Sequence, residues 1–135
     1  MLLYRLYIVY PNKEKTMKVA VIGSRQLHVY DLEKYLPKEV TELVSGGARG
    51  IDTCAKEYAK QHGLTITEFL PDYEAYGRVA PLKRNLQIID YADLVLAFWD
   101  GHSRGTRYVI EHCRSQGKKI RIFLSKKAYE SGKAT

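Results

Sequence analysis

Short apolar runs alternate with helical spacings of apolar residues from Met17 onward. The runs predict five strands, at 18–22, 42–44, 64–70, 94–99 and 119–124. Apolar residues three and four positions apart predict helices at 29–36, 51–62, 82–91 and 106–116, and residues 71–81 are predicted as a loop. Strands that alternate with helices imply a parallel sheet covered on both faces. The predicted fold is a Rossmann-like α/β domain of three layers, with a mainly parallel sheet of about five strands.

Length and composition indicate one domain. The chain has 135 residues, of which 45% are hydrophobic and 27% are charged, as is usual for a globular protein. The domain is predicted over 17–125, with an N-terminal extension at 1–16 and a basic polar tail at 126–135. The extension is apolar and aromatic for its first ten residues. It is interpreted as an extra edge strand, a partner-binding segment or a start assigned too far upstream. We favour the last, with Met17 as the first residue of the domain.

The net charge of +7 is concentrated in the last third of the chain, where residues 82–135 carry eleven basic and five acidic side chains. Attraction for phosphates or nucleic acid is therefore expected to be strongest there. The two cysteines, Cys54 and Cys113, fall in predicted helices and are interpreted as small buried hydrophobes. This cysteine usage fits a protein of the cytoplasm. No stretch approaches the roughly 20 apolar residues of a membrane helix, so no membrane partner is expected.

Three loops that follow predicted strands combine glycines with hydroxyl groups or an arginine. Ligands of open α/β sheets bind beyond the carboxyl ends of the strands, so these loops are expected to lie together. Glycine allows close approach of the backbone, free amides at a helix start face an anion, and arginine donates two parallel hydrogen bonds to phosphate. The sequence therefore predicts a phosphate-binding site formed by Gly23, Ser24, Arg25, Ser45, Gly46, Gly47, Arg49, Gly50, Asp52, Asp100, Ser103, Gly105 and Thr106.

Familiar cofactor motifs are absent from these loops. A dinucleotide fingerprint needs G-x-G-x-x-G after the first strand, where this chain has one glycine. A Walker A loop needs a Gly-Lys pair, but the sixth position from Gly46 is Ile51. His112 and Cys113 are adjacent and point to different faces of a helix, and there is no C-x-x-C pair. We therefore predict neither a resident cofactor nor a metal.

An ordered set of motifs resembles the SLOG superfamily. The motifs are "VIGSR", "SGGARGID", the pair Arg84-Asn85, "ADLVLAFWDG" and "SRGT", and they extend from about Met17 to Leu124. The closest similarity is to the YspA-like branch, and the superfamily includes the Lonely Guy phosphoribohydrolases and the DNA-processing protein DprA. The resemblance implies a Rossmann-like domain that binds a nucleotide, a nucleotide-derived ligand or nucleic acid. It adds Arg84 as a phosphate-binding residue and Asn85 as a contact to ribose or base, or as a helix cap.

The similarity to Lonely Guy enzymes is incomplete at the residue that matters most. Arg84 matches their catalytic arginine, and Gly105-Thr106 match the G-T of their P-G-G-x-G-T-x-x-E motif. The glutamate of the motif should stand at Val109. Glu111 is displaced by two residues and points about 200° away on a helix. Catalytic residues are therefore left unassigned, although hydrolysis that uses Glu68, Asp72 or Asp100 stays open.

Three functions follow from the resemblance. The first is a protein that binds a nucleotide or nucleotide-derived phosphate ligand, as a sensor, an effector or a nucleotide-processing protein. The second is a binder of single-stranded DNA related to DprA, which suits the positive net charge. The third is a nucleotide N-glycosidase of the Lonely Guy type. A homodimer is suggested by analogy with the superfamily alone.

Overall fold

A computed structural model of the protein describes residues 15–47 and 50–125. Arg49, most of the predicted N-terminal extension and the predicted basic tail lie outside these residues. The elements are β1 (Lys18–Gly23), β2 (Glu42–Ser45), α1 (Ile51–His62), β3 (Thr65–Glu68), α2 (Tyr73–Tyr76), α3 (Ala80–Tyr91), β4 (Leu94–Trp99), α4 (Arg104–Gln116) and β5 (Ile120–Leu124).

The sheet has the order β3-β2-β1-β4-β5, and every pair of neighbouring strands is parallel. Val19 of β1 stands opposite both Leu43 of β2 and Leu94 of β4, so β1 lies at the centre. The chain runs outward from β1 to β3 and then returns to the other side of β1 with β4. Strand order therefore reverses between β1 and β4. The predicted Rossmann-like fold is confirmed, and the sheet is entirely parallel.

Both faces of the sheet are buried, which explains the nearly continuous apolar strands. Alternate residues of β1 enter different clusters: Val19 and Val21 pack towards α1, whereas Ala20 and Ile22 pack towards α3 and α4. Cys54 and Cys113 are buried in α1 and α4, as the sequence predicts. Burial raises the pKa of the Cys113 thiol to about 11, so this group is an inert part of the core at neutral pH.

The predicted helix at 29–36 is wrong. Only a 3-10 turn forms, at Leu32–Lys34, and the side chain of Asp31 makes no capping hydrogen bond to it. Val29 and Leu32 are nevertheless buried, and Tyr35 packs its ring edge against Phe98 and Phe123. The apolar spacing in this segment therefore arises from packing against the sheet and not from helix formation. An irregular segment can also bury side chains that are three or four positions apart.

The predicted loop at 71–81 is mostly helical. Asp72 caps α2, since its Oδ1 accepts a hydrogen bond from the Ala75 amide at 3.0 Å. A 3-10 turn at Gly77–Val79 follows, and α3 already begins at Ala80. Pro81 lies in the first turn of α3, where a helix tolerates proline. The sequence prediction ended the loop at Pro81 and so placed the start of the helix two residues too late.

No helix in the described parts of the chain is long and apolar enough to cross a membrane.

Candidate functional site

A cavity of about 420 Å³ lies at the carboxyl edge of the sheet, beside the point where strand order reverses. The loops that follow β1 and β4 form two of its walls. One face of α3 and the first turns of α4 form the others, and Gly46 closes the cavity on the side of β2. Ligands of doubly wound sheets bind at this position, and the volume is within the usual range for small-molecule sites.

The cavity brings together most of the residues predicted from the sequence. Those that line it are Gly23, Ser24, Arg25, Gly46, Asp52, Arg84, Asn85, Asp100, Ser103, Gly105 and Thr106. Three others do not line it. Ser45 is fully buried, and its hydroxyl accepts a hydrogen bond from the Gly47 amide at 3.4 Å. Gly47 is instead next to Leu70, and Gly50 packs against the backbone of residues 25–27.

Arg84 is held in place by the backbone of two neighbouring strand ends. Its Nη1 donates to the carbonyl of Gly46 at 2.7 Å and to that of Phe69 at 3.4 Å, while its Nε donates to Asn85 Oδ1 at 2.9 Å. Burial lowers the pKa of this guanidinium from its ordinary value, and the attraction of Asp52 opposes that effect. Within the described residues these hydrogen bonds use Nε and Nη1, and none is made by the second terminal nitrogen.

Position 46 has room only for glycine, because the side chain of Arg84 lies across it. A Cβ atom at this position would stand 2.7 Å from Nη1 and 2.9 Å from Cζ of Arg84. Any larger residue would therefore displace the guanidinium from the two carbonyls. This glycine thus acts by making room for Arg84, in addition to any backbone contact with a ligand.

A hydroxyl pair connects the loops that follow β1 and β4. Ser24 Oγ and Ser103 Oγ lie 2.7 Å apart, and the Asp100 amide donates to Ser24 Oγ at 3.2 Å. Ser24 is buried, and its own amide bonds the carbonyl of Phe98 at 3.1 Å. The two loops are therefore joined directly above the strand-order reversal, which fixes the floor of the cavity.

Asp100 organises the turn that leads into α4. Its Oδ1 accepts hydrogen bonds from the amides of His102 and Ser103, both at 2.8 Å. Burial alone would raise the pKa of Asp100, but hydrogen bonds from these amides and from the Ser24 and Ser103 hydroxyls outweigh it and lower the pKa. Asp100 is therefore an ionised acceptor at neutral pH.

The first turn of α4 presents its amides without a side-chain cap. Ser103 stands at the N-cap, but its hydroxyl makes no capping hydrogen bond. A Cβ at Gly105 would meet no atom within 4 Å, so the space beside this residue is open. Thr106, one residue on, is buried and lines the cavity. Uncapped amides at the positive end of a 13-residue helix form a favourable position for an anion.

Among the described residues that line the cavity, positive and negative side chains are equal in number. Arg25 and Arg84 contribute two positive charges, and Asp52 and Asp100 contribute two negative ones. Asp52 also lies in the first turn of α1, where a carboxylate interacts favourably with the helix dipole. The arrangement suits a ligand that has both an anionic group and hydroxyl or amino groups.

The apolar wall of the cavity was missed by sequence reasoning. Ile22, Ile88 and Val109 line it, together with Gln26 and Pro81. Ile22 was read as part of a buried strand, Val109 was noted only as the position of the missing glutamate, and Ile88 was not singled out within its predicted helix. The one feature of the sequence that could have identified them is their place in the chain, since each stands close to a predicted loop or to a predicted site residue.

Val109 occupies the place at which the Lonely Guy motif has its glutamate. It is buried and lines the cavity, whereas Glu111 is exposed and is not among the lining residues. The carboxylates that line the cavity are those of Asp52 and Asp100. Asp72 is engaged as the cap of α2, and Glu68 is exposed at the end of β3.

In the described residues, no cluster of three or more His, Cys, Asp or Glu side chains is placed to bind a metal.

Replacing Asp100 with asparagine should change how stability depends on pH. The lowered pKa of Asp100 means that its charge stabilises the folded state above the ordinary pKa of 3.8. This contribution is lost as the pH falls through the still lower pKa of the folded state. We therefore expect Asp100→Asn to be less stable than the unmodified protein at neutral pH, with a smaller difference below pH 3.8. Urea unfolding at several pH values measures this; a difference independent of pH would contradict it.

Residues 17–76 match the family described as YspA, cpYpsA-related SLOG. The matched segment extends from just before β1 to the end of α2, and it includes the loops that contain Arg25 and Gly46. The match supports the resemblance over the part of the chain that contains "VIGSR" and "SGGARGID". No curated protein and no solved structure matches the chain.

Proposed function

Because residues 17–76 belong to the YspA, cpYpsA-related SLOG family, we propose that the cavity binds a nucleotide or a nucleotide-derived ligand through its phosphate. The observation that supports this most is the convergence of Arg84, Arg25 and the uncapped start of α4 on one cavity at the strand-order reversal. Family membership suggests a nucleotide-related ligand in general, and the geometry suggests how such a ligand would lie.

The phosphate would bind between the first turn of α4 and Arg84. Gly105 and Thr106 line the cavity and would supply two amides and a hydroxyl, while Arg84 also lines it and would supply its second terminal nitrogen. Because two backbone carbonyls already hold this guanidinium, little side-chain entropy would be lost on binding. Ribose hydroxyls suit the Asp52 carboxylate and the Asn85 amide, and the aliphatic wall suits a base.

The proposed activity is binding of the nucleotide, without the cleavage that releases the free base in Lonely Guy enzymes. That reaction needs a carboxylate where this chain has the aliphatic Val109. The cavity retains Arg84, which matches the catalytic arginine of those enzymes, but has no glutamate at the expected position, which favours a sensor or effector. Release of free base from a nucleoside monophosphate that disappears in Arg84→Ala would instead assign the protein as a hydrolase.

A thermal-shift panel tests the proposal. The panel contains mono-, di- and cyclic nucleotides, the matching nucleosides, inorganic phosphate and a single-stranded DNA oligonucleotide. A ligand that binds only the folded state raises the melting temperature by mass action. We expect at least one nucleotide to raise it more than its nucleoside and more than phosphate alone.

The proposal fails if no nucleotide raises the melting temperature while DNA binds with a steep dependence on salt. That outcome would assign the second function inferred from the sequence, a binder of single-stranded DNA. Repeating the panel at low and high salt separates the two, because a nucleotide held by fixed amides and one half-buried arginine loses less affinity to salt than a long polyanion does.

A further inference from the structure

A second, smaller cavity lies between α1 and the irregular segment that precedes β2. Its volume is about 220 Å³, and no residue that lines it also lines the first cavity. Val29 and Leu32 contribute buried aliphatic side chains to one wall. One face of α1, between Cys54 and Gln61, forms the opposite wall. The protein therefore has a further cavity that the proposed nucleotide site does not use.

Three aromatic rings line the second cavity, those of His28, Tyr30 and Tyr58. Each ring is held by a neighbour. The centroids of the His28 and Tyr30 rings are 4.3 Å apart, and His28 Nδ1 lies 3.4 Å from the Sγ atom of Cys54. The Tyr58 ring stacks on the ring of His62 at a centroid distance of 3.9 Å. Aromatic rings fixed beside a cavity attract a cation through their negative faces.

Acidic side chains act on the second cavity, although the whole chain has a net charge of +7. Glu57 lines the cavity. Burial raises the pKa of Tyr58, and the charges of Glu33 and Asp31 raise it further, so two more carboxylates act on this wall. Lys34 offsets part of this charge, because its Nζ lies 3.7 Å from Asp31 Oδ2. The charged side chains that act on the wall therefore favour a cation over an anion.

The second cavity is not built for a metal ion. His28, Cys54 and Glu57 all line it, but no three groups of these kinds in the described part of the chain are placed to bind a metal. Burial raises the pKa of the Cys54 thiol, a hydrogen bond with the backbone of Val29 opposes this, and the charge of Glu57 adds to it. The thiol is therefore protonated at neutral pH, and a protonated thiol is not a metal ligand. The cation that suits this cavity is an organic one.

We propose that the second cavity binds a small organic cation that carries a trimethylammonium group. Proteins recognise quaternary ammonium ligands through aromatic rings. Such a cation is less strongly hydrated than a primary ammonium group, so it loses less on leaving water. Glu57 would supply the compensating negative charge, and Val29 and Leu32 would contact the methyl groups. A cavity of about 220 Å³ suits a small ligand, since sites for drug-sized molecules start at roughly 300 Å³.

An amide NMR titration of the ¹⁵N-labelled protein tests the proposal with two probes of the same shape. Choline carries the positive charge, whereas its analogue 3,3-dimethylbutan-1-ol has carbon in place of nitrogen and is uncharged. We expect choline to shift the amides of His28, Tyr30 and Tyr58, with an affinity at least about threefold higher than that of the alcohol. Absence of these shifts up to millimolar choline, equal affinities, or larger shifts at Gly46 and Gly105 would overturn the proposal. No nucleotide is present, so the result does not depend on the proposed function.

Two substitutions test the ring and the carboxylate separately. Tyr30→Ala removes an exposed ring, and Glu57→Gln removes an exposed charge at nearly constant shape. Each should weaken choline binding about two- to fivefold, and Glu57→Gln should leave binding of the alcohol unchanged. Circular dichroism verifies that the variants are folded.

Glu111→Gln is the matched control for the carboxylate. It removes the same charge from an exposed position of α4, which packs on the other face of the sheet from α1. It should leave choline binding almost unchanged. Equal losses in Glu57→Gln and Glu111→Gln would mean that choline responds to net charge alone, and the proposed site would be wrong.

A short peptide that contains trimethyllysine distinguishes two sources of the same group. Because the cavity is small, we expect free choline to bind at least as tightly as the peptide. Tighter binding of the peptide would overturn the assignment of a small-molecule ligand.

Discussion

Replacing Arg84 with alanine should weaken nucleotide binding by roughly 10- to 150-fold, which corresponds to about 1.5–3 kcal/mol for a charged hydrogen bond. Arg84 is the half-buried cation of the cavity, and the carbonyls of Gly46 and Phe69 fix its direction. A side chain that is already held contributes more to binding than a mobile one, since less entropy is lost when the ligand arrives. Isothermal titration calorimetry with the best nucleotide of the panel measures the effect.

Two further variants separate this role from general effects of charge. Arg84→Lys keeps the charge but cannot reproduce the fork of donors, so it should recover only part of the affinity. Arg114→Ala removes an exposed arginine from the last turn of α4, at the end of that helix remote from the cavity. It should leave affinity almost unchanged. Equal losses in Arg84→Ala and Arg114→Ala would mean that binding depends on net charge alone.

Replacing Gly50 with alanine should lower the free energy of unfolding by about 2–6 kcal/mol, from backbone strain and overpacking together. Gly50 has φ 71° and ψ −118°, a conformation that an L-residue with a side chain strongly resists. A Cβ there would also lie 2.6 Å from the carbonyl oxygen of Arg25 and 3.0 Å from that of Leu27. Both neighbours are backbone atoms, so neither can move without shifting the loop that follows β1.

Gly63→Ala is the matched control for this prediction. Gly63 also has a positive φ, at 67°, but a Cβ there would meet nothing within 4 Å. It should lose only about 1–2 kcal/mol, the cost of the left-handed conformation. The difference between the two variants in urea unfolding then isolates the contact with residues 25–27. If Gly50→Ala is no less stable than Gly63→Ala, Gly50 does not set the position of that loop.

The sequence predicted the sheet well because burial on both faces leaves one unambiguous pattern. β1 and β4 are continuous apolar runs and were found almost to the residue. The segment at 29–36 was misread because its spacing arises from packing of Tyr35 and its neighbours on the sheet. The segment at 71–81 was misread because Gly77 and Pro81 suggest a loop, although Asp72 provides a cap and proline fits a first helical turn.

Proximity within the candidate site could be predicted, but its internal contacts could not. Residues that follow parallel strands meet at one edge, so Ser24 and Ser103 were expected near each other without any knowledge of their 2.7 Å contact. The hydrogen bond from Arg84 to the carbonyl of Gly46 joins residues 38 positions apart. No pattern in the neighbouring sequence predicts such a contact. Gly50 shows the same limit: it was predicted to bind phosphate, yet its surroundings are backbone atoms of residues 25–27.

The most direct test of the central claim is a titration of the ¹⁵N-labelled protein with the nucleotide panel, followed by amide NMR. If the cavity binds a nucleotide through its phosphate, the largest shifts will fall on Ser24, Gly46, Gly105 and Thr106, and Arg84→Ala will reduce them at the same ligand concentration. Small shifts are expected at Lys118 and Lys119, which lie at the opposite edge of the sheet. If no nucleotide moves the cavity amides at millimolar concentration, or if the largest shifts fall at that opposite edge, the account is contradicted.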